Sequence, residues 1–207
     1  MIQPREATNR ELQFDENRRR MALSEFEHAE CQEGFRFELI DGVLHVSPAP
    51  DPIHQDLVVT LMRVLAAARG RDGHPLFAHV VMDPRVFIED DEESGTVPQP
   101  DLAAYVTYPP RPVRSYRGLM PVLVVEVMSR LSRAKDLVRN VEIYGRSPDI
   151  LEYWVIDPTR DAARPTMSVF RGTGEARFER IDIPPGAAYE CPRWPGLRIE
   201  LARIAVE

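Results

Sequence analysis

The sequence predicts an α/β fold in a single domain, and three stretches carry that expectation. Phe35-Arg36-Phe37-Glu38-Leu39-Ile40 and Val43-Leu44-His45-Val46 alternate around Asp41-Gly42, the pattern of a hairpin closed by a two-residue turn. Leu57, Val58, Leu61, Val64 and Leu65 recur at helical spacing after Asp51-Pro52, a cap followed by a residue suited to the first helical position. Residues 122–156 then read as strand, helix, strand, which implies a crossover between parallel strands.

The elements follow in order. Residues 1–20 carry no apolar period and end in Arg18-Arg19-Arg20, so they are expected to form a flexible arm, with one domain over 21–207. Ser24 is placed to cap a short helix running toward Gly34. Residues 77–88 read as one or two strands with a bend at Asp83-Pro84, and the acidic run Glu89 to Glu93 as a solvated turn. That run lacks the alternating spacing and central glycine of a calcium loop. Asp101 to Val106 forms a short strand, followed by a Pro- and Arg-rich loop from Thr107 to Met120 that is expected to be mobile.

Val122 to Met128 is almost continuously apolar and β-branched, as a central strand covered on both faces would be, with Glu126 its one acid. A helix from Arg133 to Gly145 should turn Leu137, Val138, Val141 and Tyr144 to the core, and Leu151 to Ile156 is the next strand. Strands near Met167 to Arg171 and Ala176 to Ile181 extend the fold in antiparallel fashion.

Composition limits the function. At 207 residues with 43% apolar and 29% charged residues, the chain can bury a sizeable core, and it has no apolar run long enough to span a bilayer. The N-terminal stretch lacks the apolar segment of a secretory signal, so a soluble, cytoplasmic protein is expected. Cys31 and Cys191 are far apart and belong to no zinc-ligand pattern, so both should be reduced thiols. A net charge of −7 argues against a protein that coats nucleic acid through bulk charge. It does not exclude a nuclease, whose carboxylates are offset by a bound divalent cation. No Gly-rich phosphate loop, nucleophile elbow or dinucleotide fingerprint is present.

Glu126 in a buried strand needs compensation by a partner, a hydrogen-bond network or a metal, because a bare buried carboxylate costs several kcal/mol. One reading is an ion pair with one of the chain's 25 arginines. The other pairs it with Asp101, which opens a neighbouring apolar strand directly after Pro100. Two acids brought together repel, and a divalent cation relieves that. Glu38, on the polar face of the first hairpin strand, is a third candidate.

Glu38-Leu39-Ile40-Asp41-Gly42, His54-Gln55, Pro100-Asp101-Leu102, Val125-Glu126-Val127-Met128-Ser129, Asp136, Tyr144 and Glu152 to Pro158 occur in the order and approximate spacing of one family. Over residues 23–171 the chain resembles the Uma-two family of restriction-endonuclease-like proteins, part of the PD-(D/E)xK nuclease superfamily. The resemblance implies a mixed β-sheet flanked by helices, with Asp101 and Glu126 holding Mg²⁺ (or Mn²⁺ in its place). It further implies that Glu38 is a ligand directly or through water, that His54 lies near the site, that DNA is the substrate, and that the chain is a homodimer.

The chain departs from that pattern in its lysine. The superfamily lysine belongs two residues after the second acid, where this chain has Met128. In relatives it often appears instead on the following helix, at the position of Asn140. Lys135, the only lysine in the chain, is one candidate substitute. A helical wheel sets it about 100° from Asp136 and leaves Asn140 on the side that looks toward the acids. Arg133 and Arg139 are weaker candidates, because a guanidinium cannot deprotonate. The site residues expected from the sequence are therefore Glu38, Asp101 and Glu126 as metal ligands, with Lys135 or Asn140 at the place of the missing cation. Two functions follow: a Mg²⁺-dependent endonuclease, or a catalytically reduced nuclease fold that binds DNA or protein.

Overall fold

The computed structural model describes residues 10–109, 115–130, 132–174 and 178–205. Its contacts divide the chain into two compact units where the sequence predicts one domain over 21–207: one runs to Ala49 and includes Glu89–Pro98, the other comprises Pro50–Ile88 and Gln99 onward.

In the first unit, β1 (Glu11–Leu12) is followed by a 3-10 turn (Phe14–Glu16), α1 (Leu23–His28), β2 (Glu30–Cys31), β3 (Phe35–Ile40) and β4 (Val43–Pro48). The hairpin β3–β4 matches the sequence expectation, with Asp41 at φ 51° and Gly42 at φ 70° as a two-residue turn of this kind requires. A Cβ on Gly42 would collide with the Glu93 carbonyl, so the position demands glycine twice over.

Two expectations for this unit are corrected. The flexible arm over 1–20 holds for none of its described residues: β1 pairs in parallel with β2, Leu12 is fully buried, and Arg10 and Arg19 form ion pairs with Glu16 and Glu25. The first nine residues lie outside the described residues. Ser24 also does not cap α1, whose N-cap is Ala22. Glu92 takes that part from far along the chain, its carbonyl accepting the Leu23 N–H at 2.9 Å and its carboxylate the Ser24 N–H at 3.2 Å. The acidic run is solvent-exposed from Asp90 to Glu93 as expected, and Asp91 closes its turn by accepting from the backbone of Glu93 and Ser94.

The second unit begins with α2 (Pro52–Ala67), where the Asp51 carboxylate accepts the His54 N–H at 2.9 Å and Pro52 occupies the first turn. It continues with β5 (His79–Met82), β6 (Leu102–Tyr105), β7 (Leu123–Val127), a π-helix (Lys135–Arg139) running into α3 (Asn140–Gly145), and β8 (Glu152–Asp157). β9 (Thr166–Gly172), β10 (Phe178–Ile183), β11 (Ala188–Glu190), β12 (Arg198–Glu200) and α4 (Leu201–Ile204) complete it. Ala176, expected to open β10, and residues 110–114 of the Arg-rich loop lie outside the described residues.

Six strands form one mixed sheet in the order β10-β9-β8-β7-β6-β5, with β7 and β8 parallel and every other neighbouring pair antiparallel. All five residues of β7 are buried, as its continuous apolar run requires. On one face Leu57, Leu61 and Leu65 of α2, with Trp194 and Ile204 from the C-terminal segment, pack against Leu102, Val125, Trp154 and Ile156. Ala103 and Tyr105, with the opposite parity on β6, cluster instead with Val86.

The helix expected over 133–145 exists, but its inward face is corrected. Asp136, Asn140, Ile143 and Tyr144 are the buried residues, whereas Val138 is 58% exposed and Leu137 and Val141 are only half-buried. A π-helix bonds i to i+5, so a wheel drawn for an α-helix misplaces the residues in it and beyond. The buried polar residues are satisfied there: Ser132 donates its hydroxyl to Asp136, and Asn140 bonds to β7.

Candidate functional site

Asp101 stands one residue before β6 and Glu126 within β7. The antiparallel register pairs Leu102 with Val125 and Ala103 with Val124, so continuing it by one residue sets Asp101 opposite Glu126. The ladder stops there for a local reason: the next position along is Pro100, which has no N–H and reinforces the end of pairing. The Val127 N–H is satisfied instead by Asp101 Oδ2 at 2.6 Å.

The two acids are 1% and 2% exposed, so the bonds around them decide whether they can stay charged. Asp101 Oδ2 also lies 3.0 Å from His54 Nε2, on the first turn of α2. The other ring nitrogen, His54 Nδ1, is buried and has no hydrogen-bond partner among the described residues. Glu126 Oε1 accepts from Asn140 Nδ2 at 3.0 Å and from the Tyr144 hydroxyl at 3.4 Å. The Asn140 side-chain carbonyl in turn accepts from Arg139 Nε and Nη2 at 3.2 and 3.1 Å, so a guanidinium is linked to Glu126 through one amide. Burial, then the charges of Glu126 and Asp136, pushes the Tyr153 hydroxyl well above its ordinary pKa. Tyr153 therefore stays a donor, and it donates to the Asp136 carbonyl at 2.9 Å.

Asp101, Glu126, His54 and Asn140 thus fall in one unit, tied together at adjacent strand ends. Glu38 belongs to the other unit, where it is buried on β3 opposite His45 of β4. Lys135 opens the π-helix, half-buried beside Asp136, and Met128 follows β7, buried, two residues beyond Glu126. Sequence reasoning missed the Arg139–Asn140–Glu126 relay and the donor role of Tyr144. The signal for both was the spacing Asn140 to Tyr144, i to i+4 on one helix edge, opposite an acid in an apolar strand.

Among the described residues no group of three or more His, Cys, Asp or Glu side chains is arranged to hold a metal ion. Magnesium asks for less, since it is commonly held by one or two carboxylates with waters and substrate phosphate filling its other positions. Two hard oxygen donors at adjacent strand ends, each steadied through one named oxygen, fit that demand.

A second buried acid cluster lies at the other end of β8. Glu152 accepts from the Trp154 indole at 2.7 Å and the Tyr189 hydroxyl at 2.9 Å and pairs with Arg171 at 3.3 Å. It has its own cation and donors and reads as a structural ion pair.

The structure is a mixed α/β fold with a central mixed sheet and few helices. A crystal structure described as a putative nuclease belonging to DUF820 from Anabaena variabilis ATCC 29413 has the same fold, with a TM-score of 0.64 and 19% identity over 89% of this chain and 97% of that one. The family model Uma2, described as "Putative restriction endonuclease", matches residues 23–202, and the chain belongs to that family. No curated protein matches the sequence. No helix among the described residues is long and apolar enough to cross a membrane.

Proposed function

We propose that this protein is a Mg²⁺-dependent endonuclease that hydrolyses phosphodiester bonds in DNA, with Asp101 and Glu126 as the metal-binding acids. The observation that carries the reading is that two buried carboxylates lie at the adjacent ends of β6 and β7, each oriented by its own donors. Metal bound there would polarise the scissile phosphate and lower the pKa of an attacking water. The chain's own residues do the positioning. His54 and the Val127 amide fix Asp101. Asn140 and Tyr144 fix Glu126, and Arg139 places positive charge one amide away. The family resemblance adds Glu38 as a ligand, so Glu38→Gln should weaken Mn²⁺ binding in calorimetry, and unchanged affinity would remove it. The protein acts in the cytoplasm as a homodimer, which sets two sites on one duplex.

The test is nicking of supercoiled plasmid in Mg²⁺ or Mn²⁺ by the native chain, against Asp101→Asn and Glu126→Gln. Cutting by the native chain that both variants lose supports the reading. Cutting that survives in both removes it.

One observation favours the second reading, a catalytically reduced fold that binds DNA or protein. Met128 and Asn140 occupy the two positions where the superfamily carries its lysine, and Asn140 spends its amide on Glu126. A native chain that binds Mn²⁺ and duplex without cutting would establish that reading.

A further inference from the structure

At the carboxyl ends of the parallel strands β7 and β8 lies a cavity of about 730 Å³. Open α/β sheets bind ligands at that edge, and the volume falls in the range of small-molecule sites. Met128, Leu137 and Met167 give it an apolar wall, and four arginines and three aspartates line the rest. Met128 ties it to the acidic pair in sequence: it is buried directly after β7, two residues beyond Glu126.

The arginines differ in what they already hold. Arg133 pairs with Asp157 at 3.2 Å, and Arg180 pairs with Asp182 at 2.9 Å while donating to Ser168. The side chains of Arg160 and Arg164, in the turn between β8 and β9, have no hydrogen-bond or ion-pair partner among the described residues. The third acid, Asp161, is turned to its own loop, where it accepts the Ala163 N–H at 3.1 Å. Two uncommitted guanidiniums therefore border a concavity whose other two arginines are paired with aspartates and whose third aspartate is bonded to its own loop. A guanidinium presents forked donors that match a phosphate, and an apolar wall beside them suits the face of a base or sugar.

We propose that this cavity is a phosphate subsite that seats one nucleotide unit, its phosphate on Arg160 and Arg164 and its apolar part against Met128 and Met167. The proposal deepens the nuclease reading and rests on it for the source of the nucleotide, a strand that continues past Asp101 and Glu126. It also accounts for Met128: where the superfamily has a cation, this chain has a wall, and the cations stand on the next turn.

The experiment uses the full chain with two probes, a fluorescent DNA duplex followed by anisotropy and adenosine 5′-monophosphate followed by calorimetry. Arg160→Gln/Arg164→Gln is compared with Arg203→Gln, which removes an exposed arginine outside the cavity. The double variant should bind duplex at least about 10-fold more weakly, and the slope of log affinity against log salt should fall by about 0.9, the value for one phosphate contact. Arg203→Gln should match the native chain, and all three should melt alike. If the monophosphate binds and the double variant loses it, the cavity also takes free nucleotides. If only duplex binding depends on the pair, the strand is the source. Equal duplex and monophosphate binding by the double variant and the native chain, or no binding of either probe by the native chain, overturns the subsite. Arginine-dependent binding without any nicking leaves the subsite standing and removes the nuclease reading instead.

Discussion

His54 presents Nε2 to Asp101 at 3.0 Å while its Nδ1 is buried without a hydrogen bond among the described residues. A buried polar atom left unmatched costs about 1–3 kcal/mol, so this ring is retained against a penalty. Holding a carboxylate in orientation is a role that would justify it. His54→Ala should lower Mn²⁺ affinity about 10-fold or more, the scale on which groups that orient metal ligands act. His54→Gln, whose amide can donate to Asp101, should recover part of it. Equal Mn²⁺ titrations for the native chain and both variants would make the histidine a packing residue only.

The two acids should differ in their response to neutralisation. Asp101 takes a backbone N–H and faces an imidazole, and bonds to a charged acceptor are roughly twice as strong as neutral ones. Asp101→Asn should therefore cost about 1–2 kcal/mol in urea unfolding. Glu126 is held by the neutral amide of Asn140 and the hydroxyl of Tyr144, so Glu126→Gln removes a buried charge and the repulsion between the acids while keeping an acceptor. It should raise the melting temperature. Both variants should lose Mn²⁺ binding in calorimetry, and unchanged affinity in both would end the metal assignment.

Cys191 supplies a pH prediction. Burial first, and then the charge of Glu152, raises its thiol from 9.0 to about 11. The folded chain thus holds this proton more tightly than the unfolded one, and the corresponding stability is complete below about pH 9 and is lost as pH rises from 9 toward 11. Denaturation midpoints should decline over that window, and less in Cys191→Ser. At pH 8 iodoacetamide should modify half-buried Cys31 well before Cys191.

What could be read from the sequence was local. The Asp41-Gly42 turn and the Asp51-Pro52 helix start are fixed by the chemistry of two adjacent residues, and both stand as expected. Asp101 and Glu126 stood out because a carboxylate beside or inside an apolar strand is costly wherever the strand goes. What failed depended on distant residues. Leu12 is buried in a strand that pairs with the distant Glu30–Cys31, and α1 begins where Glu92 supplies the acceptor. The inward face of the 133–145 helix is set by Glu126 and Ser132, which draw Asn140 and Asp136 inside and leave Val138 out. No count of apolar residues on a wheel contains that preference.

Assembly is tested in solution. A homodimer is proposed, and light scattering at roughly tens of micromolar should give twice the chain mass, with an interface burying on the order of 1,600 Å². The mass of a single chain would argue that one copy meets its substrate alone.

The missing lysine separates cutting from binding, and the Asn140–Glu126 bond sharpens the test. Asn140 is fully buried between Arg139 and Glu126, so Asn140→Lys places an ammonium against the Glu126 carboxylate and releases Arg139 from its acceptor. If the fold has lost its cation, Asn140→Lys should raise plasmid nicking in Mg²⁺, and Lys135→Ala should change little. If Lys135 has taken over, the native chain should already nick, and Lys135→Ala should lower the rate by roughly 10² or more, as single electrostatic groups do. If Arg139 acts through Asn140, Asn140→Ala should abolish nicking and Lys135→Ala should not, because the alanine breaks the relay and leaves the lysine in place. Melting curves guard each arm, since Asn140→Ala strips a donor from a buried carboxylate and should itself cost about 1–3 kcal/mol. Nicking absent from the native chain and from Asn140→Lys, with Mn²⁺ still bound, would make the site an organiser of a binding surface.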